Sequence, residues 1–545
     1  MPYRYAFFII VTAFTLLAMV GGSEVFSQEL YVSPTGTGLE CSLDAPCDLQ
    51  VALNQCASNG EDDVVHLLGG TYHATHGPFV YEDQTGLENS AISLVAAQGL
   101  SPGQVVLDGA NSSQVLAIED LWNGNTNVNV TIKGITIRNA NNPNGHGGGL
   151  YIGVSGNVTI LHTSFLHNVA PFGGGLFVTT TNSTITIEDC NFTGNNATYG
   201  EGGGLLASAI GQRGVLILND SRFSGNWALS NGGGASISAQ GEMIVARNWF
   251  NENISATQSG GAIIASPQTS CRTFIFTRNA ILQNSAHNYG GGAYIMENGL
   301  EDCTVAVTDN LFAQNGPVDG AYLGGGGLFY TATQSASSFI ANNTLAENHG
   351  TWGPQAYLIV MYETSSIVLI NNIFWRTGEF YNVWIWTPVN DHGDSGAIYA
   401  FYNDYAHVVR QTTGDHYKID DMAWDDSQGN IHEDPNFLNP AEFDYRVAQH
   451  SSACIDSGTT DPQLVPHEIL PPWDLNGAPR IDGCHIDIGA LEGEPEGLHA
   501  CIGDMDRDGD VDGEDLYALA SSIYAPALTM GELAEFGRSN CLHCN

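Results

Sequence analysis

"TITIEDCNFTGNNATYGEGGGL" spans Thr184 to Leu205. Apolar residues alternate at Ile185 and Ile187, Phe192 follows, Asn195 closes the segment, and a triple glycine starts at Gly202. Alternation at every second residue is the mark of a strand with one buried face. Glycine and asparagine supply the punctuation between strands. The same order recurs along the chain. The segments "FLHN", "FTGN", "FSGN", "FNEN", "ILQN", "FAQN" and "LAEN" end at Asn168, Asn195, Asn226, Asn253, Asn284, Asn315 and Asn348, at spacings of 27, 31, 27, 31, 31 and 33 residues. Glycine clusters at Gly173, Gly202, Gly232, Gly260, Gly290 and Gly324 follow the asparagines.

A period near 30 without heptads specifies a solenoid, and the apolar columns say which kind. Ten and eight residues before each asparagine stand pairs such as Val158 and Ile160, Ile185 and Ile187, Leu216 and Leu218, or Phe274 and Phe276. Three residues before it stands a second column: Phe165, Phe192, Phe223, Phe250, Ile281, Phe312, Leu345, Phe374. Nothing recurs at 3.6, so helical solenoids are excluded. Each copy reads as one coil of a parallel β-helix that buries its apolar face against the coils above and below. A further column, Asn248, Asn279, Asn310, Asn343 and Asn372, lies five residues before the closing asparagine. Asparagine tolerates left-handed turns and its amides stack between strands, so this column is expected to be a structural ladder.

The chain has 545 residues and a net charge of −43, from 58 acidic and only 15 basic side chains. Such a surface repels nucleic acid and anionic lipid, and disfavours polyuronates unless calcium bridges the charges. Residues 1–27 read as a signal peptide: Arg4 precedes an apolar run from Ala6 to Val20, and Val25 and Ser27 are small enough for cleavage before Gln28. The run is shorter than the roughly 20 residues that span a bilayer. The mature chain is therefore expected outside the cell or at its surface, with no membrane insertion after cleavage. Eleven cysteines in an exported chain can form disulfides. Cys41 with Cys47, Cys454 with Cys484 and Cys501 with Cys541 are candidate pairs, and Cys190 reads as a buried free thiol.

At this point the chain resembles known families. The FxxN and GGA-type segments are similar to polymorphic outer-membrane protein repeats. "LYVSPTGTGLECSLDAPCDLQ", from Leu30, resembles the N-terminal cap of pectin-lyase-like right-handed β-helix proteins. "DLNGAPRIDGCHIDIGALEG", from Asp474, looks like the closing segment of choice-of-anchor secreted proteins. The resemblance implies an all-β, right-handed parallel β-helix over residues 28–495. Its cap and first coils fall at 28–129, its regular repeats at 130–377 and its closing segments at 378–495. The family includes polysaccharide lyases and hydrolases beside adhesin-like proteins, and a fold alone does not choose among them.

Three features bear on function along the coil. Six residues before the closing asparagine the column reads His162, Asp189, Asp220, Arg247, Arg278, Asp309. In register, Asp189 and Asp220 would lie about 5 Å apart, a separation that suits a retaining glycosidase. The simpler reading is an alternating charge ladder, with Arg247 beside Asp220 and Arg278 beside Asp309. "GHGGGLY", from Gly145, mimics a polygalacturonase motif but coincides with the glycine repeat. Trp375, Trp384, Trp386 and Tyr381 either stack on sugar rings or plug the open end of the core; the plug is the preferred reading.

A different chemistry closes the chain. In "GDMDRDGDVDGEDLYALA", from Gly503, oxygen ligands occupy calcium-loop positions 1, 3, 5, 7, 9 and 12 as Asp504, Asp506, Asp508, Asp510, Asp512 and Asp515, with Gly509 at the sharp turn. A bound cation would offset the crowded charge. The stretch resembles one half of a type I dockerin, which implies a calcium-binding module at 498–545 and raises a cohesin-like partner. Only one such repeat is present. Two functions follow from these readings. One is a non-catalytic surface protein that binds glycan and carries a calcium-stabilised attachment module. The other is a secreted polysaccharide lyase or glycoside hydrolase acting on the coil face.

Overall fold

The computed structural model describes residues 27–492 apart from 83–89, 120–126, 298–302, 320, 322–323, 334–336, 362–364, 377–380, 389–396, 414–417, 423–425, 449–451, 462, 465, 467–468 and 482–484. Residues 1–26 of the stretch read as a signal peptide, the aspartate-rich loop, Cys501 and Cys541 lie outside the described residues, as does Cys484.

Each repeat folds as one coil of a parallel β-solenoid. In the quoted coil, Thr184–Glu188 lies in a first sheet, Asn191–Thr193 in a third and Asn196–Ala197 in a short fourth; the glycine turn then leads to Leu205–Ile210 in a second sheet. The first sheet has 13 strands from Ser27–Val32 to Ala397–Phe401, the third has 12, and the fourth has six. The second also has 13, and ends in an antiparallel strand, Lys418–Met422, paired with Val408–Thr413. The stack thus continues past residue 377 into coils whose spacing the repeat pattern no longer shows.

The apolar columns align in register. Ile185 pairs with Val158 and Leu216, and Phe192 with Phe165 and Phe223. The rings of Phe165, Phe192, Phe223 and Phe250 stack with centroids 4.8, 4.6 and 4.6 Å apart. All are fully buried, which is worth about 1.5–3 kcal/mol for each side chain removed from water. The glycine clusters are forced by the spacing between coils. A Cβ on Gly203 would fall 2.2 Å from the Gly233 carbonyl oxygen, so the strands could not close at that turn with any side chain present.

Two asparagine ladders run through the core. The expected one extends from Asn248 through Asn279, Asn310, Asn343 and Asn372 to Asn403 and Asn430, each Nδ2 donating to the next Oδ1 at 2.9–3.1 Å. The closing asparagines form the second, Asn168 to Asn348, at 2.9–3.0 Å. The left-handed turn residue is not the asparagine but the residue before it. Arg247, Arg278 and Asp309, before Asn248, Asn279 and Asn310, have φ of 58°, 52° and 56°, and Asp189 and Asp220, before Cys190 and Ser221 on earlier coils, have 50° and 52°. The asparagine turns inward to bond, and its neighbour is left projecting from the coil.

Both ends of the solenoid are dressed. Helix Leu49–Asn59, N-capped by Asp48, buries Leu49, Ala52, Leu53 and Cys56 against the first coils. A disulfide joins Cys41 and Cys47. At the other end the closing segments fold back along the flank of the stack. Tyr445 and Leu491 pack on Leu282, Leu311, Ala313 and Ala346, and Ile469 packs on Ala306, Ala341 and Ile370. Cys454 does not join a disulfide: its buried thiol donates to Asp404 Oδ2 at 3.2 Å. Cys190 is likewise a buried thiol, pushed up to about 12 by burial.

Candidate functional site

The projecting turn column places its side chains in a row. His162 Nδ1 lies 2.6 Å from Asp189 Oδ2. Arg247 grips Asp220 through two bonds, Nε to Oδ1 at 2.8 Å and Nη2 to Oδ2 at 2.6 Å. Asp189 and Asp220 sit on adjacent coils as the register requires, yet each leans to the opposite neighbour. A carboxylate whose two oxygens both accept from one guanidinium has its hydrogen-bonding edge already occupied. The row is therefore laid out in two pairs, His162 with Asp189 and Arg247 with Asp220, rather than as a carboxyl pair.

The ladder breaks at Arg278. Its expected partner, Asp309, is taken by Arg480 from the closing segment, with Nε 3.2 Å from Oδ1 and both side chains buried. Among the described residues no acceptor reaches the buried Nε of Arg278. Burial first, and then the neighbouring Arg247, hold its pKa below the usual arginine value.

Arg278 borders a cleft of about 520 Å³ between the coils and the returning closing segment. Arg247 and Trp249 flank it on the coil side, Phe443–Arg446 and Leu475–Gly477 on the other, over an apolar floor of Leu282, Leu311 and Leu491. Trp249 is 39% exposed, with the Arg222 guanidinium 5.0 Å from its ring centroid. Arg446 holds Asp444 through two bonds of 2.9 Å and keeps its carboxyl below the usual range. Three guanidiniums thus meet two carboxylates, Asp220 and Asp444. Three of the chain's 13 arginines lie here, in a protein of net charge −43.

The other candidates resolve differently. His146 of the "GHGGGLY" stretch packs against Phe172 and Phe177, with ring centroids 5.3 and 5.0 Å away, beside the left-handed Gly147. The tryptophans do not plug the core. Phe374, Val383 and Ile385 point inward, while Trp375, Trp384 and Trp386 stand on the outer face. Trp375 packs beside the closing segment. Trp384 joins Tyr357 to Tyr381 in an external aromatic row that starts with Tyr289 and Phe329, neighbouring centroids lying 4.5–6.4 Å apart. Sequence reasoning singled out Arg247 and Arg278 as column members but missed the cleft. Its far wall lies more than 150 residues further along the chain, and only the scarcity of arginine hinted that each one mattered.

A family model described as "Right handed beta helix region" matches residues 118–250. Among solved structures the chain is similar to the pectate lyase Pel9A, at 14% identity and a TM-score of 0.35, covering 86% of this chain and 98% of that one. It is also similar to the Dettilon tailspike protein, at 12% identity and a TM-score of 0.29, covering 70% and 73%. A third is the PL6 family alginate lyase AlyGC, at 14% identity and a TM-score of 0.31, covering 75% and 54%. No curated protein sequence matches the chain.

Proposed function

We propose that this is an exported, non-catalytic β-helix protein that binds glycan outside the cell or at its surface, with a calcium-stabilised C-terminal attachment module. The observation that carries the reading is the cleft. A half-exposed indole stands beside polar donors over an apolar floor, the combination that suits a sugar ring with its apolar face and polar rim. The signal-like N-terminus and the aspartate loop support export and calcium binding. The two column carboxylates are engaged by His162 and Arg247, which favours binding over hydrolysis.

The alternative, a polysaccharide lyase, draws support from Arg278, a basic group whose proton affinity is lowered by burial at the edge of a cleft. One experiment separates the two. Residues 28–545 are titrated with a panel of neutral and acidic oligosaccharides, and the same mixtures are assayed for unsaturated products and new reducing ends. Saturable binding without turnover, weakened by Trp249→Ala, supports the binder. Product release abolished by Arg278→Gln would establish the enzyme instead.

A further inference from the structure

We propose that the cleft reads an anionic substituent, a carboxylate or a sulfate, on its glycan, with Arg278 as the group that recognises it. This rests on the glycan-binding reading and names the chemistry of the ligand. The argument is one of charge. Arg247 and Arg446 each have a carboxylate partner, in Asp220 and Asp444. Among the described residues Arg278 has none within hydrogen-bond reach, because Arg480 has claimed Asp309. Asp474, the other acid whose charge bears on Arg278, accepts from the amides of Ala478 and Glu492 instead. A guanidinium next to another guanidinium, with a desolvated Nε, gains more from an arriving anion than an exposed one would. Its planar donor edge matches a carboxylate or sulfate bidentately.

The long-range field of an acidic protein opposes such a ligand, but that field is screened beyond about 8 Å at physiological salt. Recognition would therefore be local, slow to associate and strengthened by modest salt. Trp249 would carry the sugar ring, and Arg278 would decide which sugars stay.

The test titrates residues 28–545, with chelator present to remove calcium bridging, using five probes. They are an oligogalacturonate (carboxylate), its fully methyl-esterified form (neutral), a κ-carrageenan tetrasaccharide (sulfate only), cellotetraose and inorganic sulfate. The expected result is at least about tenfold tighter binding of one anionic probe than of the methyl ester, with Arg278→Gln erasing that margin and Arg278→Lys keeping part of it. Which anionic probe wins assigns carboxylate or sulfate. A methyl ester or cellotetraose that binds as tightly as the anionic probes overturns the proposal and leaves the glycan-binding reading standing. Inorganic sulfate that binds, dependent on Arg278, while no sugar does, keeps the anion site and overturns the glycan reading. Silence from all five overturns both. A circular dichroism melt of Arg278→Gln shows whether the coil is intact.

A different observation carries a second inference. The Sγ atoms of Cys271 and Cys303 lie 2.7 Å apart, and the two residues are 3% and 4% exposed. They occupy equivalent turns just before the in-register strands Thr273–Thr277 and Thr304–Thr308. The strand register sets Cys303 beside Arg272, one residue from Cys271, and neighbouring coils about 4.8 Å apart keep the pair within disulfide reach. We infer that they oxidise to a disulfide that staples one coil to the next. Each thiol releases its proton, the pair gives two electrons to an external disulfide, and one S–S bond forms. The test incubates native protein with oxidised glutathione, then denatures, alkylates and maps it by mass spectrometry. A linked Cys271–Cys303 peptide is expected, and in Cys271→Ser the Cys303 thiol should become alkylatable. Two alkylated thiols, or glutathione adducts alone, would overturn the inference.

Discussion

Arg480 meets Asp309 in the dry interior between the closing segment and the coils, Nε to Oδ1 at 3.2 Å. The same guanidinium places Nη1 3.0 Å from Glu492 Oε1 and donates to the Gly489 carbonyl oxygen. One arginine thereby ties a turn of the solenoid to two points of the returning chain. The coils alone would stack without it, because their columns bond only to their neighbours. What Arg480 fixes is the flank, and with it the far wall of the cleft. Removing one partner of a buried ion pair typically costs about 3–5 kcal/mol, since the other charge stays buried and unpaired. Arg480→Met should lower the denaturant midpoint accordingly and open residues 430–492 to limited proteolysis. Adding Asp309→Asn to that variant should recover part of the loss. Equal stability of Arg480→Met and the wild type would remove the clasp from the account.

The same cluster should make stability depend on pH. Burial outweighs the attraction of Arg480 and holds Asp309 at about 7 and Glu492 at about 9, above the ordinary 3.8 and 4.5. A carboxyl whose folded pKa is raised keeps a proton that the unfolded chain has already released. Its contribution is complete below the unfolded value and is lost as pH rises through the folded one. Stability should therefore fall from about pH 4 toward pH 9, by at most about 1.4 kcal/mol per pH unit for each proton retained. Buried Asp404 and Glu297, also raised by burial, act in the same direction. The decisive quantity is thus a difference. The Asp309→Asn, Glu492→Gln double variant should show a flatter profile of unfolding free energy between pH 5 and 8. An unchanged slope would exclude these two groups as its source.

The inner ladder of closing asparagines predicts a sharp contrast between side chains of one type. Asn253 is fully buried; it donates to the Phe223 carbonyl oxygen at 2.9 Å and to Asn284 Oδ1 at 2.9 Å, and accepts from the Asn226 backbone amide at 3.0 Å. Asn253→Ala leaves these groups without partners at about 1–3 kcal/mol each, so a total loss of several kcal/mol is expected. Asn251, two residues earlier and on the outer side of strand Trp249–Asn251, should tolerate alanine within about 0.5 kcal/mol. Equilibrium denaturation of the two variants checks the contrast, and equal losses would mean that the ladder is replaceable by packing alone.

What the sequence made legible was whatever repeats. Val158, Ile185 and Leu216 recur because every coil must fill the same space, and the phenylalanine column recurs for the same reason. The turn column was legible too, but its meaning was not. Asp220 found Arg247 as an in-register pattern suggests. Asp309 did not find Arg278, because a residue 171 positions later competes for it, and no periodic argument can see a partner outside the period. The tryptophans show the complementary failure. Alternation places Val383 and Ile385 inside and therefore Trp384 and Trp386 outside, so the plug reading went against the strand logic already applied to the repeats.

The aspartate loop is open to a direct test that the solenoid does not confuse. Among the described residues there is no group of three or more His, Cys, Asp or Glu side chains arranged to hold a metal. The aspartate loop is expected to be where residues 28–545 take up calcium. If Asp504, Asp506, Asp508, Asp510, Asp512 and Asp515 ligate as their spacing suggests, titration calorimetry should find one site per chain. Asp508→Ala removes one of the carboxylate ligands and should weaken that site at least about tenfold. Binding of ligand to the folded state alone also raises its stability, so the tail should resist proteolysis only when calcium is present. The coil has its own ladders and columns, and its melting should not respond to chelator. Calcium affinity unaffected by Asp508→Ala would exclude the loop and turn the search to the coil surface.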